Sequence, residues 1–118
     1  MSFTDAYMSV WRNYFNFEAR TSRGDFWKAM LCNLVVGVVL LVLSFAVPIL
    51  HIVYVLYVLA IIIPGLAIEV RRLHDIDKSG WWWLIAFVPF IGSIWLIVLF
   101  VLPGTPGPNR FGASALTS

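Results

Sequence analysis

Two long apolar stretches constrain this chain more than any other feature. They cover residues 26–70 and 81–102, and the one dense polar segment, residues 71–80, lies between them. Charged residues make up only 12% of the chain, whereas a soluble domain carries about a quarter. So few charges cannot build a water-facing surface, and the apolar side chains must therefore face lipid. The sequence predicts a single integral membrane domain, because 118 residues are too few for two domains.

The lengths of the apolar stretches predict an all-α, polytopic protein with three transmembrane helices. Residues 26–47 and 81–102 are 22 residues each, which gives roughly 33 Å of helix, enough to cross a bilayer. Residues 49–69 form the second predicted span. Pro89 and Gly92 interrupt the third stretch. A single span kinked at Pro89 is the preferred interpretation, and a re-entrant hairpin turning between these two residues is the alternative.

Residues 1–17 are predicted to form an amphipathic helix before the first span. One face is apolar and rich in aromatic side chains, and the opposite face is polar. Because Trp and Tyr keep one polar end in water, this helix suits the lipid headgroup layer. The alternative is that the same apolar face packs on the transmembrane helices.

Small and polar residues share one face of the first span: Asn33, Gly37 and Ser44. Such a face lets another helix approach closely and bond across the contact. We therefore expect Asn33 to bond to another helix. A homo-oligomer or a membrane-protein partner is also compatible with this face.

The distribution of Lys and Arg predicts the orientation. Seven of the eight cations precede or begin the first span, or follow the second. The turn at Pro48 contains none. The positive-inside rule therefore puts the N-terminus and the 71–80 loop in the cytoplasm. The C-terminus would lie outside after three spans and inside after a hairpin.

Polar residues at the predicted cytoplasmic helix ends form one cluster. Its members are Arg20, Arg23, Asp25, Arg71, Arg72, His74, Asp75, Asp77 and Lys78. In the first interpretation, Arg71 and Arg72 pair with carboxylates and hold the loop to the N-terminal segment. The carboxylates considered are Asp25, Glu69 and Asp75.

Two further interpretations of this cluster remain open. Its arginines could recognise anionic lipid headgroups or another phosphate. The cluster could instead belong to a small membrane enzyme acting on a headgroup or phosphate group. In that case His74 would be the acid or base and Asp75 would orient it. No nucleophile motif accompanies this pair, so these two residues are weak catalytic candidates.

Metal, cofactor and nucleic-acid functions are not predicted. His51 and His74 fall on opposite sides of the predicted membrane, and Cys32 lies within the first apolar stretch. These residues cannot assemble the three or four ligands of a zinc site. A net charge of +2 is too small to suggest nucleic-acid binding.

Three stretches together resemble a known family. They are residues 20–27, residues 71–82 and the C-terminal motif (residues 104–112), which contains Gly104, Thr105, Gly107, Asn109, Arg110 and Gly112. In these motifs the chain is similar to the bacterial inner-membrane family called domain of unknown function 805, including its YhaH-like members. The resemblance covers about residues 10–112 and implies a small plasma-membrane protein with three or four helices. It implies no established activity.

The sequence thus predicts a multi-pass protein of the bacterial inner membrane, ending in a loop and tail over residues 103–118. The favoured function is that of a membrane scaffold or interaction protein whose Arg-rich loop contacts anionic headgroups. The alternative is the small headgroup enzyme.

Overall fold

The computed structural model describes residues 2–115 and is helical, with no strand in that range. In chain order it contains α1 (Phe3–Arg12), α2 (Arg23–Ala46), α3 (Ile49–Asp75), a 3-10 helix (Gly80–Phe87) and α4 (Ile91–Val101). Met1 and residues 116–118 of the predicted tail lie outside the described residues. By length and composition, α2 and α3 are long and apolar enough to cross a membrane, whereas α4 is an apolar helix of 11 residues.

The first long helix begins earlier than the sequence predicted. Ser22 caps α2, because its hydroxyl accepts a hydrogen bond from the backbone N–H of Asp25 at 3.3 Å. The helix therefore starts at Arg23, and Asp25 lies in its first turn rather than at its cap. An acidic side chain in this position stabilises the helix, because it interacts favourably with the positive end of the helix dipole.

The predicted 71–80 loop is wrong in its first half. Helix α3 does not end at residue 69 but continues to Asp75, which gives it a total length of 27 residues. Residues 71–75 therefore form its last turns, and all five are buried. A charged sequence extends the helix here because its polar side chains find partners within the protein.

The preferred single span over residues 81–102 is also wrong. The chain breaks between the 3-10 helix and α4, where Phe90 adopts a φ of +63°. Gly80 lies beside Val70 near the end of α3. At the other end of the stretch, the carbonyl of Phe100 accepts a hydrogen bond from Arg72, also near the end of α3. The chain thus follows the path of the alternative hairpin, with both ends at the same end of the molecule.

The turn of this apolar hairpin (residues 80–101) has a clear physical basis. Pro89 lacks a backbone N–H and cannot continue a helical ladder. The positive φ at Phe90 then reverses the chain. Gly92 lets the two arms touch, because an added Cβ there would lie 1.7 Å from the carbonyl oxygen of Ile85.

Helix α1 packs on the two long helices, as the alternative interpretation of its apolar face proposed. Ala6 and Val10 are buried. The Tyr7 hydroxyl lies 2.7 Å from that of Tyr57, and the Tyr14 hydroxyl donates to the carbonyl of Ala60 at 3.2 Å. The contact occurs beside the part of α2 that carries Phe26 and Ala29 in the buried core.

Asn33 bonds to a neighbouring helix of the same chain. Its side-chain oxygen accepts a hydrogen bond from the hydroxyl of Tyr57 on α3. Gly37 lies on the same side and lines a gap of about 250 Å³ between α2 and α3. The predicted helix-to-helix role of Asn33 is therefore fulfilled within the chain.

We expect Gly92→Ala to loosen the apolar hairpin and to lower the midpoint of thermal unfolding in detergent. Its methyl group would overlap the backbone of Ile85, which must move. Overpacking of this kind costs about 1–3 kcal/mol. Gly37→Ala is the matched control, since nothing lies within 4 Å of a Cβ added there. Equal midpoints for the two variants would contradict the close packing of the two arms.

Candidate functional site

A buried charged cluster lies at the end of α3. Asp75 accepts hydrogen bonds from Arg20 Nε at 3.1 Å and from Arg72 Nη1 at 2.9 Å, one on each carboxylate oxygen. These three residues are at most 4% exposed. Burying a charge is costly unless it is paired and hydrogen-bonded. The two arginines and the aspartate therefore form a mutually dependent unit.

Arg72 also binds the C-terminal end of α4. Its Nε donates to the carbonyl of Phe100 at 3.0 Å, and its Nη2 donates to the carbonyl of Leu102. Trp27 and Arg23 donate to the carbonyls of Phe100 and Val101, each at 3.2 Å. The last carbonyls of a helix have no partner within it and carry its negative dipole end. Cationic and N–H donors satisfy both requirements here.

Arg20 binds the C-terminal motif. Its guanidinium donates to the backbone carbonyls of Thr105, Gly107 and Gly112 at 2.7–3.1 Å. Gly107 and Gly112 have φ values of +72° and +147°, a region that side chains other than glycine rarely adopt. The glycines thus bend the motif around one arginine, and its carbonyls point at the guanidinium.

Gly104 shows how closely the same motif approaches the cluster. A Cβ added there would lie 2.0 Å from Oδ2 of Asp75. The next residue, Thr105, donates its backbone N–H to the carbonyl of Asp75 at 2.7 Å. Asn109 donates from its side chain to the carbonyl of His74 at 2.9 Å. The C-terminal motif therefore packs directly on the last turn of α3.

The hydrogen bonds from Nε and Nη1 of Arg71 reach neutral oxygen atoms, and its predicted pairing with a carboxylate is not among them. Its Nε donates to the hydroxyl of Thr21 at 3.0 Å, and its Nη1 donates to the carbonyls of Asn13 and Asn16. The backbone N–H of Thr21 in turn donates to the carbonyl of Arg71 at 3.0 Å. Arg71 thus fixes the connector between α1 and α2 (residues 13–22) to α3.

His74 and Asp75 do not form the predicted acid–base pair. The Nδ1 atom of His74 lies 3.0–3.1 Å from the carbonyl oxygens of Glu18 and Ala19. Carbonyls only accept hydrogen bonds, which assigns a proton to Nδ1, so that Nε2 is an acceptor in the neutral form of the ring. The ring stacks on Phe111 at 3.9 Å between centroids. Backbone carbonyls, rather than Asp75, orient this histidine.

The remaining members of the predicted cluster lie at its periphery. Asp77 pairs with Arg110 at 3.3 Å, and both side chains are largely exposed. Lys78 lies over the ring of Trp82, with its Nζ 5.2 Å from the centroid. Glu69 accepts a hydrogen bond from the indole of Trp83 at 2.7 Å. Each of these contacts involves a side chain near the entry to the apolar hairpin.

Burial decides which arginines of the cluster could meet an external anion. Arg20, Arg71 and Arg72 are buried and donate to protein acceptors, whereas Arg23 is exposed. Of the four arginines predicted to recognise anionic headgroups or another phosphate, Arg23 is therefore the one whose side chain is exposed to such a ligand. Within residues 2–115, no group of three or more His, Cys, Asp and Glu side chains could hold a metal ion.

The sequence did not indicate the main acceptors of this site. They are backbone carbonyls at the end of α4 and in the C-terminal motif, together with the hydroxyl of Thr21. A carbonyl is present at every position, so it leaves no compositional signal. The glycines of the motif were the only available sign that the backbone there approaches another group closely.

Comparison with known proteins gives consistent matches over nearly the whole chain. A family model described as "Protein of unknown function (DUF805)" matches residues 14–113. The inner membrane protein YhaI of Escherichia coli K12 is 44% identical over 110 residues, covering 90% of this chain and 91% of that protein. The inner membrane protein YhaH of the same strain is 37% identical over 113 residues, covering 92% and 93%. No solved structure matches.

We expect Asp75→Asn to destabilise the protein far more than Asp77→Asn, although both remove one carboxylate from the same segment. Asp75→Asn leaves two buried arginines without their counter-charge, which costs about 3–5 kcal/mol. Asp77 forms an exposed pair worth below about 1 kcal/mol. The measurement is the midpoint of thermal unfolding in detergent. Similar midpoints for the two variants would show that the buried pairs do not hold the fold together.

Proposed function

This chain belongs to the DUF805 family, as its motifs predicted, and its relatives are inner-membrane proteins; from that premise we propose that it is a multi-pass membrane protein that acts by binding rather than by catalysis. In this role it is a scaffold or interaction protein. Its buried cluster holds together the side of the protein that faces the cytoplasm.

The main support for this proposal is that the buried charged groups bind to one another and to the backbone of the same chain. Both oxygens of Asp75 are taken by arginines, and the donors of Arg20 and Arg72 are directed at the protein's own carbonyls. A catalytic or phosphate-binding cluster has to leave donors or acceptors for its ligand. This cluster instead joins four segments of the chain, as a structural framework requires.

The cation distribution supports a specific topology. All eight Lys and Arg belong to segments at the end of the bundle that holds the cluster, including Arg110, which pairs with Asp77 there. We propose that this end faces the cytoplasm, with α2 and α3 as the two spans. The arms of the apolar hairpin are each about 16 Å long, roughly half of the hydrocarbon core. The hairpin would therefore enter one leaflet and return.

Exposed groups at the same end supply the surfaces for partners. Arg12 and Arg23 are exposed, and such cations favour contact with the anionic headgroups of the cytoplasmic leaflet. The outer faces of α2 and α3 present exposed aliphatic side chains along most of their length. A second copy of the chain or another membrane protein would pack against these faces through close van der Waals contact.

A small membrane enzyme is the second candidate, and one observation favours it. His74 lines a cavity, and no bond to Nε2 occurs among the described residues. Such an acceptor is chemically able to act as a general base. Against this role, Asp75 is committed to two arginines and does not orient the ring.

Reporter fusions test the topology. We expect a C-terminal green fluorescent protein fusion to fluoresce, because that protein matures in the cytoplasm. A C-terminal alkaline phosphatase fusion should be inactive, whereas phosphatase inserted at Pro48 should be active. The opposite result at the C-terminus would restore three full spans and contradict the hairpin topology.

Lipid turnover separates binding from catalysis. We expect the purified protein, incubated with an inner-membrane lipid extract, to leave every lipid class chemically unchanged by mass spectrometry. Product in excess of the amount of protein would contradict the proposal. If that product disappeared in His74→Ala and persisted in Asp77→Asn, the reaction would be assigned to the histidine.

A further inference from the structure

A cavity of about 480 Å³ lies beside the buried cluster, between the connector, the end of α3 and the start of the 3-10 helix. Its volume is within the range of about 300–1,000 Å³ that is usual for small-molecule sites. The apolar part of its wall consists of Phe17, Leu66, Val70, Trp81, Trp83 and Leu84. Such a wall suits a hydrocarbon chain.

Two polar side chains complete the wall, and each has one hydrogen-bonding function that no contact within residues 2–115 uses. The Nδ1 atom of His74 is held by backbone carbonyls, so that in the neutral form of the ring Nε2 is an acceptor. Ser79 Oγ accepts from the backbone N–H of Trp81 at 3.2 Å, which leaves the hydroxyl hydrogen to donate. The cavity therefore offers one acceptor and one donor, which is what a hydroxyl group needs.

The charge of the cavity narrows the class of ligand. The residues that line it, all within the described chain, include no Lys, Arg, Asp or Glu. The nearest buried arginines are engaged with Asp75 and with backbone carbonyls. A phosphate group would therefore meet no Lys or Arg in the cavity wall, and burying it there would carry a substantial desolvation cost. The desolvation cost of a neutral polar group would be much smaller.

The position of the cavity indicates where its ligand comes from. Trp81 lines it and is 77% exposed, and Trp83 on the same wall bonds to Glu69 near the end of α3. Tryptophan with one polar contact and one apolar side is typical of the membrane–water boundary. In the proposed topology the cavity thus lies at the cytoplasmic boundary, within reach of the lipids of that leaflet.

We propose that this cavity binds an uncharged lipid with a hydroxyl group, of the diacylglycerol class. The hydroxyl donates to Nε2 of His74 and accepts from the hydroxyl of Ser79, and an acyl chain lies against Leu66 and Leu84. This inference rests on the proposed function, because it assumes membrane placement and binding without turnover. It adds the ligand class and the residues that select it.

Photocrosslinking of the full chain in phosphatidylcholine nanodiscs tests this site. The probes are diacylglycerol and phosphatidylglycerol, each carrying a diazirine in the same acyl chain. We expect diacylglycerol adducts to concentrate on peptides covering residues 66–84, with a yield at least about fivefold above phosphatidylglycerol. A factor of five corresponds to about one neutral hydrogen bond.

Three variants test whether the adducts form in the cavity and whether His74 is responsible for the preference for diacylglycerol. Leu84→Trp fills the cavity and should abolish the adducts, whereas Ile94→Trp, at an exposed position outside the cavity, should not. His74→Asn keeps a donor near the position of Nδ1 but has nothing at Nε2, so the preference for diacylglycerol should fall to near unity. A monodisperse elution profile in detergent checks that each variant is folded.

Each other outcome overturns the inference. Equal yields from the two probes, unchanged in His74→Asn, would mean that the cavity is an unselective crevice for acyl chains. A preference for phosphatidylglycerol would assign the ligand to the anionic lipids. Adducts spread over α2 and α3 but missing from residues 66–84 would exclude the cavity and leave the membrane placement intact. The reporter fusions test that placement separately.

Discussion

The whole arrangement depends on one buried carboxylate held between two arginines. Asp75 receives Arg20 from the connector and Arg72 from its own helix. The same arginines reach onward to the C-terminal motif and to the end of α4. Since each charge is buried, none can lose its partners without a large cost. These contacts hold together four segments that are distant in sequence, at the end of the molecule where α2 starts and α3 ends.

This polar framework makes the apolar hairpin feasible. A helix of eleven residues that stops near the end of α3 presents unpaired carbonyls, and in an apolar environment each would be costly. Arg72, Arg23 and Trp27 satisfy the carbonyls of residues 100–102. These carbonyls therefore find hydrogen-bond donors within the protein and do not depend on water. The buried cluster and the end of the apolar hairpin are thus joined by the same arginine, Arg72.

The sequence predicted those features that depend on composition and missed those that depend on the backbone. The two long helices follow from the length and hydropathy of residues 26–70, and the cluster follows from arginines recurring on both sides of that stretch. The pattern Pro89-Phe90-Ile91-Gly92 is compatible with both a kink and a reversal, and the kink was preferred because proline is tolerated within membrane helices. The positive φ that decides between them falls on Phe90, a residue type that gives no warning of it.

The same distinction explains the error over residues 71–80. A dense run of charged residues after an apolar helix ordinarily signals a solvated loop. Here the helix continues, because Arg71 donates hydrogen bonds to the carbonyls of Asn13 and Asn16, and Arg72 donates to that of Phe100. These acceptors come from segments 28–58 positions away in sequence, where local pattern carries no information. Arg71 and Arg72, which the sequence offered as binding groups for an external ligand, instead donate to acceptors within the protein. The contacts of the buried arginines are thus set by the fold of the whole chain and not by the local pattern of residues 71–80.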